Sequence, residues 1–228
     1  MNLSVVAAAL SALTLSPLTR VPGPSLDAGG FVRLRQATIS AEFTAGSGEV
    51  ALVVSAEAET GLDQVEVRDP FGLRVAGLSS GIRGRTLALH GFRLEVAETD
   101  RATFFASYPP GLYEIRARTS DGRAAIAATR LSHAVPLPPT PVYPLEDDVD
   151  VPASGLSIRW VASSDAAHYQ VGLEEGETDL LAARLAGGSR SFTVPDGVLE
   201  PGHRYKLEIG AVDESGNCTF REVLFRTR

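Results

Sequence analysis

The chain is poor in the residues that carry most chemistry. Its 228 residues include one cysteine, one tryptophan, one methionine and a single lysine, Lys206. A lone Cys218 excludes an intramolecular disulfide and reads as an inert thiol beside a turn. Cys-x-x-Cys and His-Glu-x-x-His are absent, and His90, His133, His168 and His203 lie far apart, so no zinc set is present in sequence. Each of the four reads as a strand-end or surface histidine. Without a Gly-x-Ser-x-Gly elbow there is no signature of a nucleophilic hydrolase. Paired glycosidase carboxylates leave no sequence signature, but two small sandwiches would supply no cleft to hold them. No apolar run reaches the roughly 20 residues that a membrane helix needs. Cations are not clustered either: the arginines are scattered among carboxylates in a chain of net charge -7. That pattern argues against a phosphate-backbone reader and an anionic-membrane binder.

What is present points to strands. Hydrophobic residues make up 44% of the chain, alongside 22 Gly and 14 Pro, with Val, Ile, Thr, Tyr and Phe recurring in short alternating runs. The class is all-β. At about 100 to 150 residues per domain, this length predicts two cores. Residues 36–133 carry 12 acidic against 10 basic residues, and residues 134–228 carry 15 against 8, so the second half is the acidic one. The near-exclusive use of arginine reads as a GC-rich bacterial coding bias.

The run Val5 to Leu15, ending at Ser16-Pro17, has the length of a signal-peptide core, although no Lys or Arg precedes it. Export to a secreted or periplasmic location is the expectation, with a signal peptide over 1–18 and a linker over 19–35. The alternative is an N-terminal strand or a misassigned start.

From Ala37 the alternation of Ile39, Ala41 and Phe43 opens an ordered domain over 36–133. Gly46-Ser47-Gly48 turns the chain into Val50 to Ser55, and a further strand starts at Leu62, Val65 and Val67. Asp69-Pro70-Phe71-Gly72 is a turn, because proline presets one dihedral and glycine accepts a positive φ. Thr99 or Asp100 is placed to cap a short helix burying Phe104 and Phe105, which must stop at Tyr108-Pro109-Pro110-Gly111. Leu112 to Thr119 alternates, with Leu112, Glu114, Arg116 and Arg118 on one face and Tyr113, Ile115 and Ala117 on the other. Asp121-Gly122 turns it into Ala124 to Leu131. This succession of Asp-Pro-x-Gly, Tyr-Pro-Pro-Gly-x-Tyr, Thr-x-Asp-Gly and a closing Leu-Ser-His resembles bacterial secreted proteins in which an Ig-like sandwich precedes a fibronectin type III domain.

Val135 to Pro144 contains five prolines, a stiff, extended composition, and 134–144 is assigned as the linker. The second domain is assigned to 145–228. Its last third runs Leu199-Glu200-Pro201-Gly202-His203-Arg204-Tyr205 into a long alternating segment and then the turn Gly216-Asn217. A Pro-Gly turn that sets a tyrosine at the start of a strand is the pattern of a tyrosine corner. With Trp160 in Leu156 to Trp160, and Tyr169 opening the next strand, the segment resembles a fibronectin type III domain over about 138–228. The resemblance implies two tandem Ig-like/fibronectin type III β-sandwiches, with Trp160, Tyr169, Leu199, Pro201, Gly202, Tyr205, Gly216 and Asn217 as structural residues. It implies no catalytic residue, because this architecture hosts many unrelated roles. The Arg-Gly-Asp tripeptide of integrin-binding modules is missing, Gly122-Arg123-Ala124 being the nearest string.

One cluster has ligand chemistry. Glu146, Asp147, Asp148 and Asp150 offer hard oxygens at the domain junction, where Ca²⁺ would stiffen the joint; the other reading is a solvated acidic turn. Asn217-Cys218-Thr219 matches a glycosylation sequon, but Gly216-Asn217 has a sufficient reason in its turn. The function expected is a non-enzymatic exported binding or spacer protein of the cell envelope. It would contact a protein or glycan through loops such as Ser79 to Arg85 and Glu174 to Asp179, or through sheet edges. The alternative is a carbohydrate-binding accessory protein of a polysaccharide-processing system, whose sites normally show exposed aromatic platforms, in a chain of 7% aromatics.

Overall fold

The computed structural model describes residues 32–79, 81–82, 85–86 and 89–228. The expected signal peptide and nearly all of the first linker therefore lie outside the described residues, as does part of the loop Ser79 to Arg85. The fold is all-β but for one short helix, as the alternation predicts. It divides into two compact units, an N-terminal one of 32–41 with Val50–His133, and a C-terminal one of Glu42–Glu49 with Ala134–Arg228.

The N-terminal unit is built from β1 (Val32–Arg33), the first part of β2 (Arg35–Ala45), β3 (Val50–Arg68), β4 (Arg74–Ser79), β5 (Gly81–Ile82), β6 (Arg85–Thr86), β7 (Leu89–Glu98), α1 (Arg101–Ser107), β8 (Gly111–Thr119) and β9 (Ala124–Leu131). Where the sequence suggested two strands, the structure has one: β3 runs through both and changes partners midway. Its first half pairs with β7, from Val50 opposite Glu98 to Glu57 opposite Gly91. Its second half lies between β4 and β8, with Gln64 opposite both Ser79 and Arg118. A strand long enough to take two sets of partners needs no turn between them, so residues Glu57 to Thr60 mark a change of partners.

The helix starts where a cap was expected. Asp100 Oδ1 accepts the amide of Thr103 at 2.9 Å, and capping holds its carboxyl below the usual carboxylate range. Phe104 is fully buried, whereas Phe105 is only half-buried, because a single helical stripe cannot turn two adjacent side chains inward. Phe105 stacks instead against His133, with ring centroids 4.5 Å apart. In β8 the alternation holds: Tyr113, Ile115 and Ala117 are buried, and Arg116 and Arg118 face solvent.

The C-terminal unit contains β10 (Thr140–Tyr143), β11 (Asp148–Val151), β12 (Ser157–Val161), β13 (His168–Glu175), β14 (Thr178–Ala186), β15 (Ser191–Thr193), β16 (Arg204–Val212) and β17 (Cys218–Thr227). One sheet orders β10-β12-β15; the other orders β17-β16-β13-β14. Both contribute to one core, with Ile158 and Trp160 from the first sheet packed among Tyr169, Val171, Leu207, Ile209 and Phe225 from the second. This is a two-layer β-sandwich.

The Pro-rich segment is extended, and it is also built into this unit. Thr140 to Tyr143 pairs with β12, and the carbonyls of Ala134 and Pro136 accept from Asn217 Nδ2 (2.5 Å) and Thr219 Oγ1 (2.7 Å). Proline carbonyls keep their acceptor capacity when the ring removes the amide, so a Pro-rich strand is held by donors from its neighbours.

Candidate functional site

The tyrosine corner assembles around Glu200. Tyr205, buried at the start of β16, receives the Glu200 amide on its hydroxyl at 2.8 Å. The Glu200 carbonyl accepts from Thr227 Oγ1, and that hydroxyl in turn accepts the His203 amide at 3.1 Å. Leu199 is buried below the turn, and Pro201 and Gly202 form its exposed crest. Trp160 and Tyr169 lie side by side in the core, ring centroids 5.4 Å apart. The hydroxyl of Tyr169 takes the Ser163 amide at 2.6 Å.

At the other end of β16, Asp213 organises the turn, its Oδ1 accepting from the amides of Ser215 (2.8 Å) and Asn217 (3.0 Å). Gly216 has φ +90°, but Asn217 is absent from the positive-φ residues. Its reason is different from the left-handed conformation the sequence suggested: the buried amide binds the Ala134 carbonyl. The same bond occupies the nitrogen a glycan would need.

The four acidic residues at the start of the C-terminal unit are not gathered into a ligand set. Among the described residues no group of three or more Asp, Glu, His or Cys is placed to hold a metal. Glu146 Oε2 accepts the Leu224 amide at 2.9 Å, and Asp148 Oδ2 accepts the Leu145 amide at 2.8 Å. The Asp147 amide donates to the Leu224 carbonyl at 2.8 Å. Two of the carboxylates thus cap backbone donors, and Asp150 lies in β11 with its side chain exposed.

The acidic loop Glu174 to Asp179 is the hairpin joining β13 to β14, and two of its four carboxylates are paired. Glu174 pairs with Lys206 at 2.7 Å, and Glu175 binds His203 Nδ1 at 2.5 Å. The hydrogen bond from Glu175 raises the His203 pKa. Lys206 also reaches Glu208 at 2.9 Å and Glu222 at 3.7 Å. Burial raises the Glu208 pKa against the pull of Lys206, with Glu222 adding to the rise.

The two edges of the larger sheet differ. The outer edge of β17 is covered twice by parallel segments: β11 pairs with it at Phe225 and Thr227, and Glu42 to Ala45 pair with Cys218 to Arg221. At the opposite edge, β14 pairs with β13 alone among the described residues.

A second surface was missed by the sequence reading. In the turn after β3, the buried Asp69 carboxylate accepts the amides of Phe71 (2.9 Å) and Leu73 (2.8 Å), and Arg68 Nη1 holds the Gly72 carbonyl at 3.0 Å. This well-tied turn displays Phe71 at 78% exposure and Leu73 at 66%. The signal was available, since Asp-Pro-x-Gly puts x at the tip.

No family model matches the chain, and no curated protein matches it. Among solved structures it is similar to the fibronectin(III)-like modules of Clostridium thermocellum CbhA, at 12% identity over 86% of this chain and 95% of that one, TM-score 0.34. A two-domain fibronectin type III segment of chicken tenascin matches at 12% identity over 85% of this chain and 98% of that one, TM-score 0.31. A tetra-tandem repeat from the extending region of a large adhesion protein matches at 18% identity over 82% of this chain and 48% of that one, TM-score 0.30.

Proposed function

We propose that this chain is a non-enzymatic binding or spacer protein, exported to the bacterial cell envelope, that contacts a protein or glycan through its sandwich edges and loops. The observation that carries the reading is the asymmetry of the C-terminal sheet. Exposed edges invite other chains, and natural sheets blunt them with cover, charge, proline or bulges. Here β17 is covered at its start by Glu42 to Ala45 and at its end by β11, whereas β14 offers nine residues with no proline and only Asp179 and Arg184 as charges. An extended peptide added at β14 gains main-chain hydrogen bonds, with alternate side chains reading its sequence.

The test uses proline as an edge block. Successive amides of a strand point to opposite sides, so one of Ala182→Pro and Ala183→Pro removes an outward amide and leaves the ladder to β13 intact. The variant that keeps the wild-type melting temperature is the outward one. Full-length wild type and that variant serve as baits against envelope fractions. The reading predicts a specific partner on the wild type that the variant loses. Equal retention by both, or none by either, contradicts it.

A further inference from the structure

The outer face of β4-β3-β8 in the N-terminal unit is rich in arginine, in a chain that is acidic as a whole. The register sets three rows across it: Ser79, Gln64 and Arg118; Gly77, Glu66 and Arg116; Arg74, Arg68 and Glu114. Both carboxylates on this face are already matched, Glu66 to Arg68 at 2.8 Å and Glu114 to Arg116 at 2.8 Å. Arg74 and Arg118 have no ion pair among the described residues, and both are exposed. They line one open depression of about 410 Å³, together with Gln64, Ser79, Glu66 and Arg116.

Gly77 seats one of these arginines. A Cβ built on Gly77 would overlap the Arg74 guanidinium, whose Cζ and Nε would lie 3.0 Å from it. The absent side chain leaves room for the guanidinium against the strand, and both residues belong to the lining of the depression. A planar fork of donors matches a carboxylate through two parallel hydrogen bonds.

We infer that this depression binds the carboxylates of an acidic polysaccharide, with Arg74 and Arg118 holding uronate groups and Gln64 and Ser79 bonding the sugar hydroxyls. Three features choose this ligand. The backbone of β3 is paired on both sides here, so an extended peptide lying on the face finds no main-chain partners and would depend on side chains alone. A polyol needs only side-chain donors and acceptors, which is what the depression offers. A nucleic acid is disfavoured by the absence of an aromatic residue in the lining on which a base would stack. The site lies on the other unit from β14 and stands whether or not that edge takes a strand.

The experiment measures retention of the full-length protein by polygalacturonate, neutral dextran and poly-glutamate at about 0.15 M salt, where long-range attraction is screened. Variants are Arg74→Gln, Arg118→Gln, Gly77→Ala and, as a charge-matched control on the C-terminal unit, Arg204→Gln. Gly77→Ala keeps every charge, and because the displaced atoms are the far end of a flexible side chain it keeps the fold. Unchanged thermal melts confirm folding for each variant. The expected result is binding to polygalacturonate alone, weakened at least about tenfold by each of the three site variants and less than about twofold by Arg204→Gln. The inference is overturned by no binding to polygalacturonate, by equal binding to dextran, by equal binding to poly-glutamate, which would make the ligand an acidic peptide, or by an equal loss in Arg204→Gln.

Discussion

The hydroxyl of Tyr205 receives the backbone amide of Glu200 at 2.8 Å and lies 3.4 Å from the carbonyl of the same residue. One side chain thereby closes the five-residue crossing into β16 and satisfies an amide that the turn would otherwise orphan. Tyr205→Phe keeps the buried ring and its contact with Phe225, whose centroid is 5.7 Å away, and removes only the hydroxyl. The expected loss is about 1–3 kcal/mol, the usual cost of leaving a buried donor unmet. Denaturant midpoints for the two proteins check it, and coincident curves would show that the corner does not hold the turn.

Trp160 tests packing apart from hydrogen bonding. Its ring is buried, and its indole N–H has no hydrogen-bond partner among the described residues. Trp160→Phe should therefore cost only about 1–2 kcal/mol, whereas Trp160→Ala, which opens a cavity beside Tyr169, should cost about 3 kcal/mol or more. Equal losses in the two variants would refute a packing role.

His168 gives the C-terminal unit a pH dependence. It is 8% exposed at the start of β13, and burial, helped by Arg184 and opposed by Asp213, pushes its pKa down to about 4. The unfolded chain titrates this group near 6.5, so between about 6.5 and 4 the unfolded state binds the extra proton. Stability is full above that window and falls as the pH drops through it, by up to about 3 kcal/mol. The raised pKa of His203 acts with the opposite sign, its contribution being complete at low pH and lost on going up. The measurement is the difference between wild type and His168→Gln across pH 4 to 7, where the variant should show the shallower decline. Parallel curves would exclude His168 as the cause.

The turn at Asp69 separates display from support. Asp69→Ala removes the acceptor of two part-buried amides that tie the turn and should cost about 1 kcal/mol. Phe71→Ser, at the exposed tip, should leave the unfolding free energy within about 0.5 kcal/mol of wild type. A destabilised Phe71→Ser would mean that the ring packs against something.

Much of this architecture is legible in the sequence because its determinants are local. Tyr205 follows Pro201-Gly202 at the spacing a corner requires, Asp100 precedes a short helical stripe, and β8 alternates cleanly from Leu112 to Thr119. What escapes is set by long-range pairing. Nothing in Glu42 to Ala45 announces that they pair with Cys218 to Arg221, because parallel pairing has no turn signal. The partner change inside β3 is hidden for the same reason. The acidic residues Glu146 to Asp150 look like ligands in one dimension; in three, Asp148 caps the nearby amide of Leu145 and Glu146 caps that of Leu224, which reaches it only on folding. Arg74 and Arg118 are 44 residues apart in the numbering and come to line one depression only through the register of three strands.

The central claim is that one edge of the C-terminal sheet is closed and the other open. Amide hydrogen exchange on the full-length protein, read residue by residue, tests it most directly. The account predicts slow exchange along β17, including Cys218 to Arg221, and rapid exchange of every second amide from Thr178 to Ala186. Uniform protection of β14 in the isolated protein would contradict it, since something would then already cover that edge.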